Sequence, residues 1–536
     1  IEDGVYTVKL DDGDSLDTNN KGSLQKSKDI NSPADFETAV SATDFGLFNI
    51  LMLLVALPCA ASSVFDTTTL AFVAPDAECD LGLTLMDKGL MNAIVYVGMI
   101  LSAFLWGYLA DTLGRRKLMV LGYLLDAVCV FASAFSQSTT ALMIAKFFGG
   151  FIICGPFAVL MSYLSEFHGA THRSRVVLCV GMYFSLANIT LPGMAWAIIP
   201  TRWVLMLPNG SELHSWQIFL AFCSLPSFLS GIFMWMLPES PKFLMSRGRN
   251  EEALEVFKKV YRINHWNDKT EYPIKQLVEE TKANGQDGSP KPEGMEALKA
   301  GFKQFKPLFY APHLKNCIIV CAIQLLALLG LNTLRLWLPQ MFSMMEEYDA
   351  NPSKNDTSLC SILGTTLNQT KYTQDVFDVN APCTVTTEYS MYINSTIVGI
   401  VSFCGYLIAG ALINAVGNRN ISMFGFFLAG SCGMALYYAW TPIIAVALSA
   451  VYCAISGIST TALIGIVVVL FPTDLRTMAV SLLMMIGRVG AVFGNVVFPL
   501  LLESGCFAPF FTLGIVIFVC GLLCLLLPKT SKKPLQ

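Results

Sequence analysis

Gly107-Tyr-Leu-Ala-Asp111-Thr-Leu-Gly114-Arg115-Arg116-Lys117 joins two apolar runs, 89–110 and 117–136, through glycines, one acid and three consecutive cations. Each run is long enough to cross a hydrocarbon core of about 30 Å as a helix. The stretch therefore reads as a tight polar hairpin between two membrane-spanning helices. Glycine permits close packing and a sharp turn, while Asp111 and Arg115 can make charged contacts that hold a gate in one state. Working outward, further apolar runs fall at 46–73, 140–165, 174–199, 216–237, 314–343, 389–413, 420–440, 442–470, 477–501 and 507–527, which makes twelve spans. Composition agrees: 54% of residues are hydrophobic and 14% charged, with a mean hydropathy of +0.56, against roughly 25% charged for a soluble domain. The expected fold class is an all-α membrane protein with twelve transmembrane helices in two six-helix bundles.

The spans divide around a long polar insert. The expected organisation is a cytoplasmic tail 1–43, a first bundle 44–238, a linker 239–313, a second bundle 314–527 carrying an outward loop 346–388, and a cytoplasmic tail 528–536. Within the insert, Asn250–Val260 has acids leading and lysines trailing, the pattern of a short solvated amphipathic helix. Residues 1–33 and Asn284–Gly294 are polar or Gly/Pro/Lys-rich and are expected to be disordered. Orientation follows the positive-inside rule. Of 35 Lys and Arg residues, 28 lie in the tails and in one set of loops, and only Lys88, Arg202, Lys354 and Lys371 lie in the opposite loops. Both termini are therefore expected in the cytoplasm, with the first helix as an uncleaved signal-anchor. Ile1 stands where methionine is usual, so the chain is expected to be trimmed.

Acceptor sequons at Asn209, Asn355, Asn368 and Asn394 fall on the outward side, where glycosylation requires them. Cys360 and Cys383 share the loop 346–388 and are predicted to form a disulfide. Cys79 and Cys506 also face outward, and the sequence does not say whether they pair.

Five ionisable residues sit inside apolar runs: Asp66, Asp126, Lys146, Arg335 and Arg488. A charge at mid-bilayer is costly unless it meets a partner or a watery cavity, so such residues mark pathways. Asp66, beside three threonines, is expected in a substrate or proton site, or else in a buried structural pair. Asp126 and Lys146 lie at similar depth on either side of a hairpin and are predicted to pair. Arg335, within Asn332-Thr-Leu-Arg335-Leu-Trp337, can hold a carboxylate bidentately or serve as a structural contact. Arg488 lies between Gly487 and Gly490, where cavity lining and helix packing are equally open. Trp196 and Trp337 can wall a cavity by stacking on a planar or cationic group, or fill the core. The candidate substrate-binding residues are thus Asp66, Asp126, Trp196, Asn332, Arg335, Trp337 and Arg488, and the candidate gating residues are Asp111, Arg115, Glu166, Arg173 and Arg476.

The hairpin sequence resembles the signature of the major facilitator superfamily. It departs at Thr112, and its second-half copy, Gly410 to Arg419, carries Asn414 in place of the acid. Glu166 and Arg173 match a further family pair; the counterpart before Phe471-Pro-Thr-Asp-Leu-Arg476 has Val469 where glutamate is usual. Pro238-Glu-Ser-Pro-Lys242 resembles a segment of sugar and organic-ion carriers. Ala34-Asp-Phe-Glu-Thr-Ala-Val40, Ser162-Tyr-Leu-Ser-Glu-Phe167 and Met194-Ala-Trp-Ala-Ile-Ile-Pro200 are together similar to the synaptic vesicle glycoprotein 2 family and its invertebrate relatives, with a short loop 346–388. Helix 10 departs, with Thr460 and Ile464 where that family's cavity has a tryptophan and an acid; Trp196 matches its cavity aromatic.

The resemblance implies a secondary, alternating-access transporter in a vesicle or plasma membrane, and buried residues of both charge signs point to a small organic ion as substrate, with zwitterions and proton coupling both open. Its expected partners are the lipid bilayer and a small-molecule substrate, with protons left open, and the chain is expected to be monomeric. A non-transporting vesicle glycoprotein with a receptor or trafficking role is the alternative. A sugar carrier is a lesser one, because Leu326 and Ala327 stand where sugar porters place glutamines. No enzyme is expected, nor any cofactor: the five histidines are scattered without metal-ligand spacing, no phosphate-binding Gly-Lys loop occurs, and no nucleic-acid footprint is seen.

Overall fold

The computed structural model describes residues 33–206, 208, 210, 212–266, 271–278, 306–349, 360, 389–471 and 473–528. The helices are α1 (Phe36–Ser41), α2 (Leu47–Asp76), α3 (Glu78–Leu81), α4 (Leu85–Leu113), α5 (Arg115–Ser133), α6 (Thr139–Glu166), α7 (Ala170–Ile198), α8 (Ser215–Cys223), α9 (Leu225–Met236), α10 (Pro241–Ser246), α11 (Asn250–Asn264), α12 (Leu314–Asp349), α13 (Ser390–Val416), α14 (Asn418–Ala435), α15 (Pro442–Leu470), α16 (Thr473–Glu503) and α17 (Phe507–Leu525). Eleven stretches among the described residues are long and apolar enough to span a bilayer, α8 and α9 counting as one. The remaining span is α5, whose apolar content is diluted by Arg115, Arg116, Lys117 and Asp126. Outward side chains such as Leu101, Val128, Ile408 and Phe424 are each at least 60% exposed, a surface suited to lipid rather than water.

Local chemistry explains the boundaries. Thr84 Oγ1 accepts from the Asp87 amide (3.1 Å) while Asp87 accepts from the Thr84 amide (3.0 Å), a reciprocal cap that starts α4. Thr441 caps α15, with Pro442 in the first turn. Gly114 (φ +95°) turns the chain between α4 and α5, and Gly417 (φ +83°) does the same between α13 and α14, conformations that side-chain-bearing residues avoid.

Packing repeats between the halves. In the first, α4 and α5 pack on α6, α5 packs on α9 and α2 on α7; in the second, α13 and α14 pack on α15, α14 on α17 and α12 on α16. The halves meet along α4 and α16, α7 and α13, and α2 and α12. We call the side carrying residues 239–313 the insert face. There α1, α10 and α11 form a small second core from Phe36, Val40, Leu244, Met245, Phe257 and Tyr272. Residues 34–41, the part of the tail that follows the stretch expected to be disordered, are tied to the insert. Ala34 donates to the Gln276 carbonyl and accepts from Val278, and Tyr272 Oη donates to the Ala39 carbonyl (2.7 Å). The stretch Asn284–Gly294 lies outside the described residues.

Interhelical glycines record how the halves lie. A Cβ on Gly89 of α4 would come within 2.6 Å of the Asn495 carbonyl oxygen and 2.7 Å of the Pro499 ring on α16, and one on Gly399 of α13 within 2.9 Å of the Asn188 carbonyl oxygen on α7. Both contacts lie toward the face opposite the insert. Gly107 and Gly410, on the same two helices toward the insert face, meet nothing within 4 Å among the described residues. At 3.6 residues per turn, Gly107 lies five turns from Gly89, and Gly410 close to three turns from Gly399, so each pair shares one side of its helix. The halves are thus closed together at the opposite face and splayed toward the insert face.

Candidate functional site

The first half buries a polar cluster among α2, α5, α6 and α9. Lys146 Nζ stands 3.4 Å from Asp66 Oδ1, with both side chains 1% exposed. Ser227 Oγ on α9 donates to Asp126 Oδ2 (2.5 Å). Asp126 lies close enough to Asp66 and Lys146 to interact with both electrostatically, and Asp66 Oδ2 and Asp126 Oδ1 have no hydrogen-bond partner among the described residues. The expected Asp126–Lys146 pair is therefore replaced by Asp66–Lys146. Although α5 and α6 are neighbours in the chain, Asp126 faces α9 while Lys146 faces α2. Two carboxyls and a single ammonium thus occupy one buried site of low polarity, the ammonium paired with Asp66. Leaving the second one charged costs several kcal/mol, an arrangement that invites a proton or a cation.

In the second half, Arg335 Nη2 donates to Asn332 Oδ1 (3.1 Å), one turn back on α12. Its Nε is unpartnered among the described residues. Tyr406 Oη on α13 lies 3.4 Å from Thr461 Oγ1 on α15. Arg488 of α16 reaches across the halves, its Nη1 3.0 Å from Cys154 Sγ on α6. Trp337 is 1% exposed and packs on Phe498, ring centroids 5.0 Å apart, which places it in the α12–α16 core. Trp196 sits in the last turn of α7, half exposed, with its ring edge-on to Tyr389 at 6.5 Å across the halves. It therefore stands at the rim of the opposite face rather than at cavity depth.

At the insert face, Arg115 Nε lies 3.6 Å from Glu166 Oε1. Ser240 Oγ donates to Glu166, and accepts from the Phe243 amide to cap α10 (3.1 Å). Glu239 Oε1 accepts from the Arg116 amide (2.9 Å), capping α5. The Pro238–Lys242 segment thus ties the ends of α5, α6 and α9 together, a role that its residue pattern alone does not disclose. Arg173 pairs with Glu37 of α1 (2.8 Å) and donates to the Ser165 and His168 carbonyls. Burial pushes the His168 imidazole below the ordinary histidine range, so it stands neutral with Nδ1 donating to the Leu164 carbonyl (2.7 Å). Arg476 Nε has no partner among the described residues; the Asp111 side chain lies outside them.

These contacts rank differently in energy. Glu37→Ala removes a partly exposed ion pair and is expected to change stability by less than about 1 kcal/mol. Ser240→Ala strips a buried cap and a partner of Glu166 and is expected to cost about 1–2 kcal/mol. Thermal unfolding of the two variants in detergent compares them; equal shifts would contradict this ranking.

The predicted Cys360–Cys383 bridge is corrected. Cys360 is bonded instead to Cys506, with Cα atoms 5.4 Å apart, linking the chain between α12 and α13 to the N-cap of α17. Shared loop membership proved a weaker guide than convergence at one face. Cys79 is also in a disulfide, and Cys383 lies outside the described residues. So do Asn209, Asn355 and Asn368. Asn394 falls in the first two turns of α13, half-buried.

Two repeated helical bundles with charged groups buried in each half define an all-α membrane protein with the architecture of a carrier. The chain belongs to the Major Facilitator Superfamily, whose family model matches residues 56–369 and 372–536. It is a transporter-family protein and not an enzyme. Synaptic vesicle glycoprotein 2A of Rattus norvegicus is 33% identical over 247 residues, covering 46% of this chain and 33% of that relative. Synaptic vesicle glycoprotein 2B of the same organism is 30% identical over 230 residues, covering 43% and 34%. The matched region spans about a third of these relatives' length. Among solved structures, a partially occluded inward-open form of the xylose transporter XylE from E. coli superposes with a TM-score of 0.61 at 15% identity, covering 89% of this chain and 98% of that one. A D-xylose-proton symporter follows at 0.60 and 14%, covering 90% and 98%. At such identities these two likenesses speak for the fold alone.

Proposed function

We propose that the chain carries a small organic ion by alternating access in a vesicle or plasma membrane, with its insert face in the cytoplasm and Asp66–Lys146–Asp126 as a proton- or cation-coupling centre. The observation that carries this reading is the buried triad of two carboxyls against one ammonium, opposed in the other half by an Arg335 guanidinium with an unused Nε donor. Groups of both signs can meet the two ends of a zwitterion, and Arg335 can take a carboxylate through its planar fork. The splay toward the insert face supplies one of the two access states that such a mechanism needs. Sugars fit less well, since Leu326 and Ala327 offer no hydroxyl partners on α12.

The test is a thermal-shift screen of purified protein against amino acids, amines, organic acids, nucleosides and sugars at acidic and neutral pH. A true substrate at a hundred times its Kd stabilises by about 2.7 kcal/mol. The stabilisation is expected to vanish in Arg335→Ala, with wild-type folding retained. The competing reading, a vesicle glycoprotein with a receptor or trafficking role, gains support from the names of the relatives; it predicts no hit in the panel and undiminished cellular function in Arg335→Ala.

A further inference from the structure

A cavity of about 720 Å³ lies at the insert face, between the first turn of α5, the Pro238–Lys242 segment and one flank of α11. Its size falls within the roughly 300–1,000 Å³ of small-molecule sites. Its floor is apolar, formed by Phe243, Leu244 and Val256, and its walls are charged. Most of the acid in those walls is already engaged. Glu252 takes the Arg249 guanidinium through two hydrogen bonds of 2.6 and 2.5 Å, and Glu239 caps α5 through the Arg116 amide.

Lys117, Lys258, Lys259 and Arg262 remain, and Glu255 is the one further acid of the lining. Among the described residues none of the four has an ion pair or side-chain hydrogen bond. Lys258, Lys259 and Arg262 are spaced one and three residues apart, on one flank of α11, and Lys117 looks at them from α5. Unpaired like charges converging on one hollow repel each other, and a multivalent anion is the simplest group to relieve this.

The cavity also lies beside the end of α9, since its lining residue Arg116 donates to the Trp235 carbonyl. Trp235 and Met236, the last residues of α9, are 64% and 76% exposed just before Pro238, and exposed tryptophan at a helix end marks the headgroup level. We propose that this cavity binds an inositol polyphosphate, either as the headgroup of a lipid in the adjoining leaflet or free in solution. The phosphates meet the four cations, and the C–H face of the ring meets the apolar floor. The site is independent of whether the chain transports.

The test uses the full chain in phosphatidylcholine nanodiscs, titrated with fluorescent inositol trisphosphate and read by anisotropy. Binding is expected, with the triple variant Lys258→Glu/Lys259→Glu/Arg262→Glu at least about tenfold weaker, equivalent to about 1.4 kcal/mol. Lys275→Glu, an exposed cation of the same insert outside the cavity, is expected to bind as wild type. Displacement by nanodiscs doped with phosphatidylinositol bisphosphate assigns the site to a lipid, and binding without such displacement assigns it to the free inositol polyphosphate. Three results would overturn the proposal: no binding, equal weakening in Lys275→Glu, or equal displacement by phosphatidylserine at matched charge, since each reports a general surface field or nothing.

Discussion

Lys146→Met is expected to destabilise the protein by about 3–5 kcal/mol, the penalty for removing one partner of a fully buried ion pair. Its ammonium is the only cation within salt-bridge distance of Asp66 among the described residues, and Asp126 lies near enough to feel the charge of both groups. Removing it leaves two buried acids in an apolar interior, with Ser227 donating to Asp126 alone. The double variant Asp66→Asn/Lys146→Met removes both charges and is expected to recover much of the loss, because buried pairs contribute little net stability when both members go. A cycle of the four proteins, followed by intrinsic-fluorescence unfolding at one detergent concentration, measures the coupling. If Lys146→Met unfolds with wild type, the pair is open to water and the coupling centre proposed above fails. If the double variant is stable but carries substrate without dependence on a proton gradient, the triad is the coupling element rather than a structural staple.

The sequence makes the helices plain because each must satisfy its own backbone in lipid and show apolar side chains all round; the twelve runs agree with the described helices to within a few residues at most ends. The hairpin turn was equally legible, since Gly114 and Gly417 take backbone angles that only glycine adopts readily. What the sequence leaves open is rotation about each helix axis, and partner choice depends on it. Asp126 and Lys146 are close along the chain and at similar depth, yet they face different neighbours; Asp66, separated from Lys146 by 80 positions, supplies the ion pair. Trp337 shows the same limit: an aromatic two residues from a buried arginine packs into the core, because one residue of offset rotates a side chain by about 100°. Cys506 was hidden for a related reason. Its partner lies across a whole bundle in sequence, and only the convergence of α12 and α17 at one face brings the two sulfurs together. Glu37 and Ser240, both central to the insert-face contacts, carry no signal beyond the motifs that surround them.

Gly89→Trp and Gly107→Trp are expected to trap opposite states of the molecule. Gly89 has no room: its missing Cβ would abut the Asn495 carbonyl and the Pro499 ring, and backbone cannot yield as a flexible side-chain tip does. An indole there must hold α4 and α16 apart at the face opposite the insert. Gly107 lies on the same side of α4 with open space beside it, so an indole is accommodated in the present state and blocks the approach of the halves at the insert face. Turning a two-state equilibrium from one side to the other takes about 5.5 kcal/mol, which a steric overlap of this kind readily exceeds. The reporter is Cys154, buried between the halves beside Arg488. A membrane-impermeant thiol reagent added at the opposite face is expected to label it in Gly89→Trp and not in wild type or Gly107→Trp, with Cys154→Ala as the blank. Both tryptophan variants are expected to lose transport at least about tenfold, since each removes one of the two states that the cycle must visit. Wild-type transport in Gly107→Trp would show that the halves do not close at the insert face, and rocking would then be the wrong mechanism. Absence of any labelling difference would show that the opposite face never opens, which is the behaviour of a carrier fold serving as a fixed membrane glycoprotein.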